Sequence, residues 1–595
     1  MLRNVIQNRR KMRRYNTTYV NQNEELPETR RGVTGGVEAA ADLPDRTECL
    51  FTSPDGNCPE VSVDVPVELK PIGSDSIDEW NAILAKYKAG KRRLDSRLQS
   101  AENWWLLRNR FELEKATDPK SGGFRASTSW LHNVISSKHA DAIAAYPVPN
   151  ILPRGEEDRA AAELLSKTVP VILRQNSFDE IYDLASWQKL KTGTGVYKII
   201  WDSKKLGGLG DISVTRRDLL CLFWEPGVCD IQDSGYVFDV EMVDAEEAER
   251  LGVKDASPGG FAPGRMPADD RADMSGKVAL VDVYYKKDSL LHYCKYCGRT
   301  VIYSTENDPE RRSRGLYDHG LYPFVFDVLF PVEGSPAGYG YVDICANSQM
   351  RIDLLTTALL RNTLAGATPR YFTRLEGGIN EEELLNTENA LVHVTGSLGE
   401  DYIRSMPAPP LSPNHLSVLR DTVDELRETS GNTETSTGNI SGGVTAAAAI
   451  SALQDAAGKG SRAAIAASYR AYAKIIGMVI ELIRQFYDAP RRFRVTGGDG
   501  AAEFVSFCAS DLMSGAAGGP GESPAVFDID VEPERKTGYS RLAQNELAMQ
   551  LYSGGFFNPA LARQSLQAVD MMEFDGKQAV RSGILENALR QEERT

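Results

Sequence analysis

No stretch of this 595-residue sequence is apolar for longer than the nine residues Ile475–Ile483, and even that run contains Glu481. A helix crossing a bilayer needs about 20 such residues, so a soluble chain with no membrane contact is expected. The opening is basic (Arg3, Arg9, Arg10, Lys11, Arg13, Arg14), but no apolar h-region follows, and no secretory signal is expected. Eight scattered cysteines are too few for a disulfide framework and point to a reducing compartment. Positive charge is short: 68 Lys and Arg face 83 Asp and Glu, a net −15. That balance argues against a protein gripping nucleic acid over its whole surface, because phosphate binding rests on Lys and Arg. The six histidines (132, 139, 292, 319, 393 and 415) include no pair at helical metal-ligand spacing. No G-x-x-x-x-G-K-[ST], H-E-x-x-H, G-x-S-x-G or complete G-x-G-x-x-G occurs, so the expectation is a protein that is not an enzyme.

What is present fits an ordinary globular protein, with 42% hydrophobic and 25% charged residues. Residues 1–75 read as an extended N-terminal arm. Six prolines from Pro27 to Pro71 stand among acids there, with too little apolar surface to offset ordering entropy. Its basic tip is either a solvated tail or a contact for nucleic acid or another subunit. From Ser76 the period turns helical. Trp80, Ile83, Leu84 and Tyr87 share a face that Gly90 is expected to break, and Leu94, Leu98, Trp104, Trp105 and Phe111 carry a second run. Helices are also expected over Ser127–Ala145 and over residues 157–192, divided near Asn176. Period-two runs mark strands at Val196–Trp201, Ile212–Val214, Tyr236–Met242 and Val278–Tyr285, with a surface loop over Ser257–Gly276. The fold class is α+β and predominantly helical.

The middle of the chain is different. After the Gly-rich turn Pro336–Gly340, one long helix is expected over Tyr341–Ala365, then strands at Arg370–Arg374 and Ala390–Thr395. Ser412-Pro413 starts another helix, an N-cap followed by proline at the first helical position. Leu416, Leu419, Val423 and Leu426 form its seam, while Asp421, Asp424, Glu425 and Glu428 occupy its other faces. Thr429–Thr445 is a polar loop of seventeen residues, longer than most helix connections. Asn432, Thr433, Thr435, Ser436 and Asn439 give it neutral hydrogen-bonding groups, Glu434 is its one acid, and it has no Lys or Arg. Beyond it Ile465, Tyr469, Tyr472, Ile476, Val479, Ile483 and Phe486 repeat at spacings of four and three, a seam that calls for a partner helix in its own subunit or the next.

One pattern suggests metal. Cys294-Lys-Tyr-Cys297-Gly298 lies in an expected hairpin, Leu290–Tyr303, and has half of a zinc-knuckle pattern. A closed tetrahedral site needs four ligands, and His292, His319, Cys221 and Cys229 are candidates for the rest. Structural zinc, two free thiols and a redox pair all fit this spacing. No other cofactor is suggested.

Four passages carry a resemblance. The first is Ser129-Trp130 through Lys138-His-Ala-Asp141, with Pro147 to Pro153-Arg154. The second is Trp187-Gln-Lys-Leu-Lys-Thr-Gly193-Thr-Gly195, running into Trp201-Asp202. The third is Phe223-Trp-Glu-Pro-Gly227 with Asp230-Ile-Gln-Asp233. The fourth joins Tyr322-Pro-Phe324, Gly338-Tyr-Gly340 and Asn347-Ser-Gln349, with Gly438 to Leu453 much later. Their order over roughly residues 95–490 resembles the portal proteins of tailed bacteriophages, the head–tail connectors of podovirus-like phages.

The resemblance implies a homo-oligomeric ring, a dodecamer at one capsid vertex of the virion, around a DNA channel used for viral genome packaging and ejection. It implies a wing (76–335), a first stem helix (336–366), a clip (367–410), a second stem helix (411–428) and a tunnel loop (429–445). A long helix behind the loop (446–490) and C-terminal strands with crown helices (491–595) would follow. The implied partners are double-stranded DNA in transit, a terminase that hydrolyses ATP, head–tail adaptor or tail proteins, and the major capsid and scaffolding proteins, with assembly in the host cytoplasm. Asp421, Asp424, Glu425 and Glu428 would line the channel and repel DNA phosphates. The loop residues Asn432, Thr433, Glu434, Thr435, Ser436 and Asn439 would meet DNA without a cationic grip. Two other readings compete: a zinc-dependent enzyme centred on Cys294 and Cys297, and a helical scaffold that binds only proteins.

Overall fold

Helix α1 (Ser74–Trp105) runs unbroken through Gly90, with Ile77, Trp80, Leu84, Tyr87, Leu98 and Ala101 buried along one face. Gly90 does not end the helix because it serves another need. A Cβ there would stand 2.6 Å from the Pro226 ring, so the glycine admits the loop around Pro226. In this computed structural model the described residues are 71–107, 127–253, 261–266, 276–367, 370–373, 403–406, 413–432, 459–496, 502–514, 523–533, 548–558, 561–571 and 577–592. Helix α2 (Trp130–Ala144) leads into strand β1 (Pro147–Pro153), then α3 (Arg159–Gln175) and α4 (Phe178–Thr192). The division falls at Asn176 as expected, where the side-chain amide donates to the Ile172 carbonyl at 2.9 Å and caps the outgoing helix.

Two antiparallel sheets follow. Strands β2 (Thr194–Asp202) and β3 (Asp211–Arg216) lie in one; β4 (Leu222–Trp224), β5 (Tyr236–Asp244), β6 (Lys277–Lys287), β7 (Leu290–Cys297) and β8 (Thr300–Ser304) form the other as a five-stranded meander. Strand β9 (Phe324–Val328) returns to pair with β2, giving the order β3-β2-β9, and the hairpin β10 (Phe330–Val332) and β11 (Ser335–Tyr339) comes next. The apolar face of α1 packs on the meander, Trp80 and Tyr87 meeting Phe238, Val240, Tyr285 and Tyr296. Within the expected surface loop, residues 261–266 are held to α1. Phe261 meets Phe223 edge-on at 5.3 Å, and the carbonyls of Ala262 and Arg265 accept from Lys88 and Gln99.

Helix α5 (Tyr341–Ala367) is continuous, and strand β12 (Arg370–Thr373) pairs with β13 (Ile403–Met406), a partner sequence periodicity did not mark. Helix α6 (Pro413–Ser430) packs on α5, and α7 (Lys459–Phe486) crosses the body. The hairpin β14 (Arg491–Thr496) and β15 (Ala502–Phe507), the short pair β16 (Met513–Ser514) and β17 (Ser523–Pro524), strand β18 (Phe527–Pro533), and helices α8 (Ala562–Met571) and α9 (Lys577–Glu592) complete the order. Strand β18 pairs along the whole of β1, from Pro147 opposite Pro533 to Pro153 opposite Phe527. The expected strand at Ala390–Thr395, residues 1–70 and 433–458 lie outside the described residues.

The seam of α7 finds its partners within the chain, and most of them are strands. Tyr472, Ile476, Val479 and Ile483 are buried in the chain's own core, where α7 packs mainly on β1, β2, β9 and β18 and also meets the helices α2 and α3. Spacings of four and three place a stripe on one helix face whatever it meets, and a sheet accepts that stripe as well as a helix does. By length and composition Gly460–Phe486 is apolar enough to cross a membrane, which run length missed because Glu481 interrupts it; the burial marks it as a core helix.

Candidate functional site

Parts of the second and fourth passages, distant in sequence, meet at the base of α5. Gly193 ends α4 with φ +94°, and a Cβ there would stand 2.2 Å from the Tyr339 carbonyl carbon. A Cβ at Gly338 would meet the Phe330 carbonyl oxygen at 2.2 Å, and one at Gly340 the Lys191 carbonyl oxygen at 2.2 Å. Only glycine lets three backbones approach so closely. The Gly338 amide donates to Thr194 Oγ1 at 2.9 Å, which locks the β11 turn onto β2. Arg97 of α1 closes the junction, donating to Asp343 at 2.8 Å and to the Gly338 carbonyl at 2.8 Å, over the Tyr339 ring. Burial pushes the Asp343 carboxyl up, against the opposing pull of the Gly340 amide and Arg97.

The first passage is held by α5, and the third by the segment before β9. Gln349 of α5 donates to the Thr128 carbonyl at 2.9 Å and accepts from the Leu131 amide at 3.2 Å, so it grips the start of α2. Asp353, one turn on, accepts from the Thr128 amide at 2.8 Å. Gln232 accepts from the Tyr322 amide at 2.8 Å and donates to the Tyr322 carbonyl at 3.0 Å, fastening the third passage to the segment before β9.

Helices α5 and α6 pack on each other as a pair. Leu426 and Thr422 of α6 are buried, Leu419 and Val423 half-buried, while Leu416 remains exposed, so only the inner part of the expected seam is covered. Asp421, Asp424, Glu425 and Glu428 are all exposed. Helical spacing sets the four on one arc of about 100°. Glu425 accepts from Arg351 of α5 at 2.5 Å, and Asp424 lies 3.7 Å from Arg427, so two of the four acids have cationic neighbours. The helix stops in a Schellman motif. Gly431 takes φ +66°, its amide donates to the Glu428 carbonyl at 3.1 Å, and the Asn432 amide donates to the Arg427 carbonyl at 3.0 Å. Asn432, expected as a DNA-facing amide, is instead part of this helix stop and only 6% exposed. Thr433, Glu434, Thr435, Ser436 and Asn439 lie outside the described residues.

A buried charge cluster couples the two sheets. Lys198 of β2 donates to Asp239 of β5 at 2.8 Å and to Asp282 of β6 at 3.2 Å. Arg217 adds two bonds to Asp239, at 2.8 and 2.9 Å, and Lys295 pairs with Asp282 at 3.2 Å. Burial works against the charge of Lys198, but Tyr284, Asp239 and Asp282 outweigh it and raise its pKa. Burial likewise opposes ionisation of Asp282, yet Lys198, Lys295 and the Tyr293 hydroxyl hold its carboxyl below the usual range. Sequence reading missed this cluster; the one signal was a lysine inside the otherwise apolar run Val196–Trp201.

Strand β7 separates the two expected metal ligands. Cys294 packs among Trp80, Phe223 and Tyr296, whereas Cys297 packs with Val243, Val278 and Leu280 in a different cluster. Residues three apart on a strand face opposite sides, so the knuckle geometry of a loop does not form. Burial pushes the Cys294 thiol up to about 12 and raises Cys297 as well. His292 is buried with Nδ1 3.2 Å from the Thr305 hydroxyl, and His319 Nδ1 accepts from the Leu321 amide at 3.0 Å. Among the described residues no three His, Cys, Asp or Glu side chains converge on one point.

A mixed α+β body, a glycine-locked junction and two long packed helices on either side of a β-paired insert make up the frame. A family model described as Phage P22-like portal protein matches residues 140–317 and 367–594, and the chain belongs to that family. The match passes over residues 318–366, which hold β9 and α5. No curated protein matches the chain. The protein is thus a phage portal protein of a structural rather than enzymatic family, and the zinc-enzyme reading finds no support.

Proposed function

We propose that twelve copies of this chain form the ring at the capsid vertex, with α5 and α6 as stem helices and residues 429–445 reaching toward the channel. Double-stranded DNA passes inward during packaging, driven by a separate terminase that hydrolyses ATP, and outward during ejection. The residues near β12 and β13 dock head–tail adaptor or tail proteins. Capsid and scaffolding proteins meet the ring during assembly in the host cytoplasm. The stem is the observation that supports this reading most. Leu354, Leu360, Leu364, Leu416 and Val418 are 37–54% exposed in a single chain, concentrated where the hairpin leaves the body. Neighbouring subunits around a ring bury such surface. The acids of α6 stay in water, where they repel DNA phosphates and keep the duplex sliding rather than held.

Negative-stain imaging and light scattering of the purified protein test the ring, and a monodisperse monomer at micromolar concentration overturns it. Deleting Asn432–Asn439 is expected to leave rings intact while lowering the yield of DNA-filled particles. Normal yields of infectious particles from that deletion make the loop a simple connector.

A further inference from the structure

Lys138 of α2 is buried, and its ammonium donates to two groups far apart in the chain. One is the carbonyl of Gly431, at 3.1 Å, and the other is the hydroxyl of Ser461, also at 3.1 Å. Ser461 in turn donates to Asp141 at 2.7 Å, so a carboxylate one turn along α2 completes the arrangement. Gly431 is the left-handed residue that stops α6. Ser461 stands in the first turn of α7. One side chain therefore ties the end of the second stem helix to the start of the helix that follows the loop.

The chemistry suits the place. The Gly431 carbonyl stands just past the helix end, where no intrahelical donor reaches it, and an ammonium has three donors to offer. Burial pushes the Lys138 pKa down while Asp141 opposes it. A second buried lysine reinforces α7 from α4: Lys189 donates to the Ala464 carbonyl at 2.9 Å, Ser468 at 2.7 Å and Asp327 at 2.6 Å. Lys138, Asp141, Ser186, Lys189, Ser461 and Ser468 line one small cavity between these helices. Apolar packing would also hold helices together, but hydrogen bonds of fixed direction to two helix ends set where each end lies.

We propose that Lys138 is a positioning residue, which with Asp141 clamps both roots of the segment between residues 432 and 460 and so fixes where that segment enters the channel. The role in DNA handling rests on the portal reading of that segment; the clamp itself does not.

The test uses the full-length ring carrying Lys138→Met, Lys138→Arg or Ser461→Ala. Hydrogen exchange is followed at the Gly431 and Asn432 amides, whose acceptors are the Glu428 and Arg427 carbonyls. Losing charge-assisted bonds at this end should speed their exchange about tenfold or more in Lys138→Met. DNA-filled heads should fall about as steeply while ring formation persists, and Lys138→Arg, whose larger planar guanidinium does not fit this buried site, should restore little of either. Exchange within about twofold of wild type overturns the clamp. Faster exchange with normal DNA filling overturns its role in DNA handling. Should Lys138→Met fail to assemble, Ser461→Ala decides: it removes the acceptor at the α7 end, exchange is followed at the Ala463–Ile465 amides, and unchanged exchange there overturns the proposal. Absence of rings in the wild-type protein strikes the portal reading instead.

Discussion

Replacing Lys198 by methionine removes the cation shared by Asp239 and Asp282 while keeping the length of the side chain. Asp239 then retains Arg217 and Asp282 retains Lys295, but each loses the partner lying between the two sheets. Breaking a buried pair by removing one member costs about 3–5 kcal/mol, because an incompletely compensated charge stays behind. For a body of more than 500 residues that corresponds to a fall in melting temperature of roughly 3–5 °C. The pH dependence carries a sign. With Lys198 present the folded Asp282 titrates below its unfolded value of about 4. Its contribution to stability is therefore present above that value and lost as pH falls through the folded pKa. Without Lys198, burial raises Asp282, so acid harms the variant less and the two proteins converge at low pH. Calorimetry between pH 3 and pH 8 reads both quantities. A deficit under about 1 kcal/mol at pH 7, or one that widens on acidification, refutes the reasoning.

Gly340→Ala should cost about 3 kcal/mol or more and deplete soluble rings, since its Cβ would lie 2.2 Å from a backbone oxygen. Gly334→Ala, at φ +74° with no atom within 4 Å, is the control and should lose only about 1–2 kcal/mol, measured by the same calorimetry. In thiol labelling of the native protein, exposed Cys229 should react well before buried Cys294 and Cys297; equal rates would reopen the knuckle. Elemental analysis should find no stoichiometric zinc, and one zinc per chain lost in the Cys294→Ser, Cys297→Ser variant would restore the metal site.

Local signals were legible where one principle acted alone. The break at Asn176, the strands around Tyr236 and Val278 and the long helix from Tyr341 follow from periodicity and capping. Where a residue served a distant contact, local reading failed. Gly90 looked like a helix breaker because nothing nearby in sequence reveals Pro226. Cys294 and Cys297 looked like ligands because spacing does not tell a loop from a strand. Of the stem, the acidic face of α6 was readable from its repeat. The helix stop at Asn432 was not, since it depends on the left-handed turn at Gly431. The buried lysines were invisible for the same reason as Gly90: their acceptors lie on other elements.

The pairing of β1 with β18 sets a timetable for synthesis. Arg154 and its carboxylate partner Asp528 stand 374 residues apart, at one end of a ladder spanning all of β1. At translation rates of about 5–20 residues per second, β1 leaves the ribosome roughly 20–75 s before its partner exists. During that interval its backbone groups and the apolar stripe it shares with α7 are open to other chains. Polysomes carrying several nascent copies bring such edges close together, so slower elongation upstream of β18 should divert more protein into aggregates.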